Sequence, residues 1–439
     1  MGKELLERPA VVGRGGGIYR LRFAVPASGE AVVNMRIAAQ GTNWGKVGAE
    51  AGTLRMEFEG AYSQHLIVFG GAEEVLYQRF IGDIGIGAHD IMFTFSPEGS
   101  AAQAQWIRTL NMSVDVITAD DPRHPGISNC PILYGRAERD SYENRKSDVP
   151  MYSFYRFPKG GPTGREIEFF YMYSHVTQGM DPALRLAQTG CLAPIEWSFR
   201  GALDSASHVA RNLTFQGRNH APHPYSGGWD FRGHPVLQAA GYEGMFHDKV
   251  TTPYRLCLPA LEALPDERPF AWMQNVYPTS YRVAAEELLR ARKIEKPGNP
   301  KTKNLSDPHD YLFLQFDRRV PEATKAAPPV EVLVTLQNGG PFASAFGDAR
   351  WLKPGQDPIG TAIKLPPGTP IEAVREIRVK AVPSRRDPFQ LEIIGPQVAF
   401  FLTGPKFEIG PMPAGIPAET QVTLTNQAPE AVIWKAAGA

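Results

Sequence analysis

The 439-residue sequence lacks an excess of charge of either sign, because 46 Lys and Arg residues balance 46 Asp and Glu residues. Nucleic-acid binding needs clustered positive charge opposite the phosphates, so we expect no nucleic-acid partner. The chain also lacks any run of about 18 consecutive apolar residues, the length of a membrane-spanning helix. Its longest apolar runs, such as Val398–Leu402, have the length of β-strands. We therefore expect no membrane insertion.

Cysteine and the common catalytic motifs are scarce or missing. The three cysteines, Cys130, Cys191 and Cys257, allow at most one disulfide. The sequence contains no P-loop, no H-E-x-x-H zinc motif, no C-x-x-C pair and no G-x-S-x-G nucleophile elbow. The triplet Gly15–Gly17 precedes a predicted strand, whereas a phosphate cradle needs a glycine-rich turn that opens a helix. Nucleotide cofactors are therefore not expected.

Glycine and proline, in contrast, are plentiful, with 43 and 39 residues spread along the chain. Their distribution favours short strands joined by turns. Apolar and polar residues alternate in segments such as Ile18–Phe23, Ala31–Ile37 and Leu54–Phe58, which is typical of strands with one buried face. We predict a mainly β protein built of antiparallel sandwich or jelly-roll-like units. One helix is predicted near 280–293, where apolar residues recur at helical spacing.

The pattern predicts three regions. Residues 1–120 form a β-sandwich accessory domain, and the polar, turn-rich segment around 120–126 ends it. Residues 121–300 form a β-rich catalytic domain with the helix at its end. Residues 301–439 form a C-terminal antiparallel β region, either separate or part of the same core. The segments Gly87–Phe95 and Ile107–Val116 resemble the closing strands of sandwich modules attached to carbohydrate-active proteins, and this resemblance implies the accessory role of the first region.

The middle region concentrates aromatic residues, arginines and seven of the ten histidines. In the predicted strand 167–175, Tyr171, Tyr173 and His175 share one face with Phe169. Such a row offers a sugar ring a stacking surface and groups that exchange protons, so we predict these three residues as catalytic. The alternative is that they fill the core of a sheet, as Tyr and Phe often do.

The loop from Arg218 to Asp248 is the second candidate. Its histidines His220, His223 and His234 can hold a divalent metal ion, the one cofactor that the sequence makes conceivable. The same residues can instead contact substrate or transfer protons, with His220 as the catalytic group. We predict that the neighbouring polar and aromatic side chains bind substrate: Arg218, Asn219, Tyr225 and Trp229.

Carboxylates for acid and base catalysis occur as Glu168, Glu196, Asp230, Glu243 and Asp248, and we predict Glu196 and Asp230 as catalytic. The alternative for Glu196 is a buried ion pair with Arg200 or Arg185.

A loop rich in arginine and tyrosine, 134–146, precedes these segments. Arg136, Arg139 and Arg145 can grip the carboxylate of an acidic sugar through bidentate hydrogen bonds. The alternative is a solvated loop with internal salt bridges.

Together these residues resemble the inventory of β-rich lyases that cleave acidic polysaccharides. This resemblance implies β-elimination at a uronate, with Tyr and His as acid and base and with Arg and Asn neutralising the carboxylate. One alternative is a glycoside hydrolase with paired carboxylates. Another is a glycan-binding protein without catalysis. The expected partner is a polysaccharide or oligosaccharide, and we expect a secreted or periplasmic protein whose signal peptide has been removed.

Overall fold

The computed structural model describes residues 9–136, 149–158, 166–174, 182, 185–186, 190–204, 209–231, 233–239, 245–265, 270–302, 304–319, 330–343, 359–370, 373–381, 392–401, 406–409, 422–428 and 431–436. The protein is mainly β, with 52% strand and 10% helix, and this confirms the predicted class. Two compact units divide the chain. Unit 1 comprises Met1–Gly179, Ala193–Glu267 and Arg282–Arg290, and unit 2 comprises Met180–Leu192, Arg268–Tyr281 and Ala291–Ala439. The three-region division drawn from the sequence remains a prediction.

Unit 1 begins with two four-stranded antiparallel sheets, which we call sheet A and sheet B. Sheet A has the strand order β1-β8-β3-β6, and sheet B has the order β2-β7-β4-β5. Their strands are β1 (Ala10–Gly13), β2 (Ile18–Val25), β3 (Gly29–Gln40), β4 (Gly52–Phe58), β5 (Tyr62–Val68), β6 (Val75–Ile84), β7 (Gly87–Phe95) and β8 (Trp106–Ile117).

Alternation along the strands builds the core of this sandwich. In β3, Val33, Met35 and Ile37 are completely buried, whereas Asn34 is half-buried and Arg36 is exposed on the other face. Side chains in a strand point to opposite faces in turn, so a period of two separates the core face from the solvent face. The sequence pattern therefore gave the correct face for this strand.

The middle of the chain forms two further sheets of unit 1. Sheet C is six-stranded, with the order β14-β13-β12-β11-β10-β19, and sheet D has the order β15-β16-β9-β18 with β17 paired to β16. Their strands are β9 (Ile132–Tyr134), β10 (Pro150–Arg156), β11 (Glu166–Tyr173), β12 (Ile195–Leu203), β13 (Val209–Gln216), β14 (Pro222–Pro224), β15 (Trp229–Asp230), β16 (His234–Ala239), β17 (Phe246–His247), β18 (Arg255–Leu256) and β19 (Ala260–Ala263).

Sheet D packs against the sandwich within unit 1. The backbone N–H of Phe80 donates to the carbonyl oxygen of Cys257 at 3.1 Å. Gly82 has φ +90°, and a Cβ there would lie 2.9 Å from the ring of Phe231. Only glycine tolerates both this backbone conformation and this close approach.

Three helices occur among the described residues: α1 (His124–Ile127), α2 (Ala271–Val276) and α3 (Thr279–Arg290). Helix α3 confirms the helix predicted near 280–293. In unit 1 its last turn is anchored to the sandwich, because Arg290 pairs with Glu50 at 2.7 Å and Glu287 accepts a hydrogen bond from the indole of Trp44 at 2.9 Å. None of the helices among the described residues is long and apolar enough to span a membrane.

Unit 2 carries a nine-stranded, mostly antiparallel sheet with the order β22-β21-β24-β27-β28-β26-β25-β20-β23. Its strands are β20 (Tyr311–Arg319), β21 (Val330–Leu336), β22 (Gly339–Ala343), β23 (Ile359–Lys364), β24 (Val374–Ala381), β25 (Glu392–Phe401), β26 (Lys406–Ile409), β27 (Val422–Ala428) and β28 (Ala431–Ala436). Within this unit the buried Lys364 donates to Glu295 at 2.8 Å and thereby ties the 295–304 loop to β23.

Candidate functional site

The candidate site lies at the edge of sheet C, where β13 ends at Gln216. The chain reverses there through a short 3-10 turn, Arg218–His220, and returns as the exposed edge strand β14. Asn219 and His220 both have positive φ, 59° and 58°. This left-handed conformation is uncommon for residues other than glycine and tends to be kept where surrounding contacts impose it. One such contact is the backbone N–H of Asn219, which donates to the sulfur of Met245 at 3.2 Å.

The turn brings two of the predicted catalytic residues together. His220 Nδ1 lies 3.3 Å from Glu196 Oε2, and Glu196 projects from the neighbouring strand β12. The amide of Gln216 donates to the same carboxylate oxygen at 3.0 Å. The imidazole of His220 is 45% exposed, while the Glu196 side chain is 21% exposed. A carboxylate that orients an accessible imidazole is a usual arrangement for a general base.

Two aromatic residues of the predicted binding set form an exposed platform. The ring of Tyr225 meets Trp229 edge-on, with centroids 5.7 Å apart, and also meets the buried Phe199 at 5.2 Å. Trp229 is 48% exposed. The hydroxyl of Tyr225 accepts the backbone N–H of Val236 at 2.9 Å, and burial raises its pKa to about 12. Tyr225 is therefore a neutral support for Trp229 near pH 7.

The loop is fastened at both ends by close contacts. The backbone N–H and the hydroxyl of Ser226 each donate to the carboxylate of Asp248 at 2.9 Å. A Cβ on Gly217 would lie 2.2 Å from the ring of His223, so a larger residue at that position would have to displace this ring. Arg218 and Asn219 lie exposed on the turn.

The tyrosines of β11 occupy a different environment from the one expected of catalytic groups. Tyr171 is completely buried, its hydroxyl donates to the carbonyl oxygen of Pro131 at 2.9 Å, and burial raises its pKa. Tyr173 is 1% exposed. His175 lies outside the described residues. Burial on this scale is what the core-packing alternative expects, so we assign Tyr171 and Tyr173 no part in the site.

The predicted metal site at His220, His223 and His234 is not formed. No group of three or more His, Cys, Asp or Glu side chains with metal-binding geometry occurs among the described residues. His234 is buried, and its two ring nitrogens lie 2.9 Å from the carbonyl oxygen of Cys130 and 3.3 Å from Glu30 Oε1. His223 packs against the ring of Phe215. The prediction failed because His234 is the first residue of β16 and lies away from the turn, although it is close to His220 and His223 in the sequence.

The other predicted residues either lie away from the 218–220 turn or belong to the part of the chain that is not described. Asp230 forms an ion pair with Arg255, whose guanidinium also stacks on Tyr62 at 4.9 Å from the ring centroid. Arg136 is half-buried, and the predicted contacts from Arg139 and Arg145 lie outside the described residues.

The carboxylate of Glu168 is held on both sides. Arg156 lies 2.7 Å and Arg200 3.5 Å from it, and the Glu168 side chain is 8% exposed. Arg200, which the sequence suggested as a partner of Glu196, thus forms an ion pair with Glu168.

Sequence reasoning missed Gln216 and Met245, which contact Glu196 and Asn219. Neither residue type marks a site. Their roles arise from the pairing of β13 beside β12 and from the approach of β17, which no local pattern reveals.

The sequence matches no described protein family and no curated protein. Several solved structures align with part of the chain, among them the following two. A ruminal GH26 endo-β-1,4-mannanase is 11% identical, with 29% of this chain and 29% of that chain covered and a TM-score of 0.18. The C-terminal CBM6 of LamC, a marine laminarinase from Zobellia galactanivorans, is 10% identical, with 24% of this chain and 98% of that chain covered and a TM-score of 0.16.

Proposed function

We propose that the protein is a carbohydrate-active enzyme that binds a polysaccharide across the 217–230 loop and cleaves its glycosidic bonds. The observation that carries the proposal is the contact of His220 with Glu196 of β12, together with the exposed Trp229 on the same 217–230 segment as His220. An indole offers an apolar face to a sugar ring, and its polar surroundings offer hydrogen bonds to hydroxyls. Proton transfer by an oriented imidazole supplies the chemistry.

The finer proposal is β-elimination at a uronate. His220, oriented by Glu196, takes the proton from the carbon next to the sugar carboxylate. The electron pair of that C–H bond forms the C4–C5 double bond, and the C4–O bond to the leaving sugar breaks. The imidazolium returns its proton to the leaving oxygen. Arg218 and Asn219, exposed on the same turn, supply donors that neutralise the carboxylate and acidify the proton.

Elimination is favoured over hydrolysis because two of the carboxylates that hydrolysis could use, Glu168 and Asp230, are each held by arginine side chains. Glycoside hydrolysis uses two carboxyl groups roughly 5 to 10 Å apart around the scissile bond. Glu168 is enclosed by Arg156 and Arg200, and Asp230 is paired with Arg255. Glu243 lies outside the described residues. Glu196 contacts His220 instead, and this contact places a carboxylate beside a histidine that can transfer protons.

The test is incubation with acidic and neutral polysaccharides while ultraviolet absorbance and reducing ends are followed together. Elimination predicts that both rise, and that both rates fall by about a hundredfold or more in His220→Gln and Glu196→Gln. His89→Gln is the matched control, because His89 Nδ1 also lies on a glutamate, Glu59, at 2.7 Å but in the sandwich. Reducing ends without absorbance would replace elimination by hydrolysis.

The second candidate is a glycan-binding protein without catalysis, which the exposure of Trp229 favours by itself. It predicts that Trp229→Ala abolishes retention on a polysaccharide gel while no substrate is cleaved. Retention that survives Trp229→Ala, together with cleavage that survives His220→Gln, would remove this loop from both proposals.

A polysaccharide substrate also supports a location outside the cytoplasm. We propose that the protein acts in the periplasm or after secretion. Fractionation of the producing cells tests this proposal, and recovery in the cytoplasmic fraction alone would contradict it.

A further inference from the structure

A second polar surface lies on the outer face of sheet A in the sandwich, beside the place where Phe80 packs against sheet D. Gln78 Nε2 donates to Asn34 Oδ1 at 2.7 Å, and Asn34 Nδ2 donates to Asp115 Oδ2 at 3.2 Å. The row crosses three neighbouring strands, β6, β3 and β8, and its side chains are half-buried. A primary amide has two donor hydrogens and an acceptor oxygen with two lone pairs, so the row leaves each amide with further hydrogen-bonding capacity.

The same face continues along β3 toward an aromatic residue. Gln40 lies six residues beyond Asn34 on β3, which corresponds to roughly 20 Å along this strand. It is paired with Trp106 on β8. Arg108 lies with its guanidinium 5.9 Å from the Trp106 ring centroid. Arg36 lies exposed between the amide row and Trp106. We call this surface, defined by Asn34, Gln78, Asp115, Arg36, Arg108 and Trp106, the amide face.

The opposite outer face, on sheet B, is different in chemistry. It carries long charged side chains in ion pairs, Arg20 with Asp90 at 3.3 Å and Arg55 with Glu57 at 3.5 Å. Exposed ion pairs of this kind are the ordinary way to solvate a sheet and contribute little to stability. On the amide face, in contrast, the polar side chains of Gln78, Asn34 and Asp115 are joined in a row of hydrogen bonds. The contrast within one sandwich indicates that the two faces have different tasks.

We propose that the amide face is a second glycan-contact surface, which binds an extended oligosaccharide and takes no part in bond cleavage. The proposal rests on the proposed function for the class of ligand only. Trp106 packs against the apolar face of a sugar ring, and the amides of Asn34 and Gln78 bond to hydroxyls. Arg36 and Arg108 favour sugars that carry carboxylates. A chain bound here would keep the substrate close to the protein while the loop acts on it.

The test measures retention of the full chain by affinity electrophoresis in gels that contain an acidic or a neutral polysaccharide. Gln78→Leu and Trp106→Ala should weaken retention about tenfold, more for the acidic polymer, with thermal unfolding used to show that both variants are folded. Gln78→Leu leaves the apolar core untouched and keeps the test valid if Trp106→Ala does not fold. Arg55→Ala, on the sheet B face, is the matched control and should leave retention unchanged.

The outcomes separate this proposal from the proposed function. Retention that depends on Gln78 and Trp106, without any cleavage, supports the amide face and overturns the catalytic proposal. Cleavage that depends on His220, with retention unaffected by Gln78→Leu and Trp106→Ala, overturns the amide face alone. Absence of retention for the unmodified protein overturns it as well, whatever the cleavage assay shows.

Discussion

The buried histidine that joins sheet D to the sandwich leads to a quantitative prediction. His234 on β16 is 1% exposed, and its Nε2 lies 3.3 Å from Glu30 Oε1 on β3. Its ring packs against Phe80 at 4.6 Å between centroids. Burial alone lowers the pKa of His234, but interactions with Cys130 and Glu30 outweigh it and raise the pKa to about 10 from the ordinary 6.5. The folded protein therefore binds this proton more tightly than the unfolded chain does.

The sign and size of the pH effect follow from this difference. A raised pKa contributes stability that is complete below about pH 6.5 and is lost as the pH rises through about 10. One pH unit corresponds to about 1.4 kcal/mol, so the difference between the pKa of His234 in the folded and in the unfolded protein amounts to about 3 to 5 kcal/mol of unfolding free energy. The carboxylate of Glu30 is the side chain that faces the imidazolium of His234, at 3.3 Å.

Urea unfolding at about pH 6 and about pH 9.5 measures the effect in the unmodified protein, in His234→Gln and in Glu30→Gln. We expect the unmodified protein to lose several kcal/mol more between these two pH values than either variant does. His89→Gln is the control, and it should retain the full pH dependence. Equal pH dependence in the unmodified protein and in His234→Gln would refute the assignment of a charged, buried His234.

Three further changes test other parts of the structure. Gly217→Ala should displace the ring of His223 and weaken polysaccharide retention, with unchanged retention contradicting the loop geometry. Arg290→Met should lower the free energy of unfolding by about 3 to 5 kcal/mol, because it leaves the buried carboxylate of Glu50 without its charged partner, and urea unfolding measures this. Tyr171→Phe should lower stability by about 1 kcal/mol and leave any cleavage rate unchanged; a large loss of rate would restore Tyr171 to the site.

The fold class and many strands could be predicted because the signals are local. Alternation located β3 with its core face, and helical spacing located α3. The sheet orders could not be predicted. The neighbours of β3 in sheet A are β6 and β8, which are distant along the sequence, and long-range pairing of this kind depends on packing that no window of the sequence contains.

The site could be predicted in part. The loop was found because His, Trp and Tyr cluster between glycines and prolines, and loops of this kind present polar groups to solvent. The partner of His220 could not be chosen from the sequence, since Glu196 lies 24 residues away and meets it only because β12 and β13 pair. Tyr171 and Tyr173 misled because aromatic residues at alternate positions are as typical of a core as of a binding row.

Position within sheet C explains why the aromatic row and the loop have such different environments. Strand β11 lies between β10 and β12, and its residues from Ile167 to Tyr173 are all buried. Strand β14 is the edge, and its three residues, Pro222, His223 and Pro224, are all exposed. Proline has no N–H to donate, so the two prolines prevent another strand from extending the sheet at this edge. The edge thus stays open beside His220 and Trp229, and a ligand can reach the loop without competition from strand pairing.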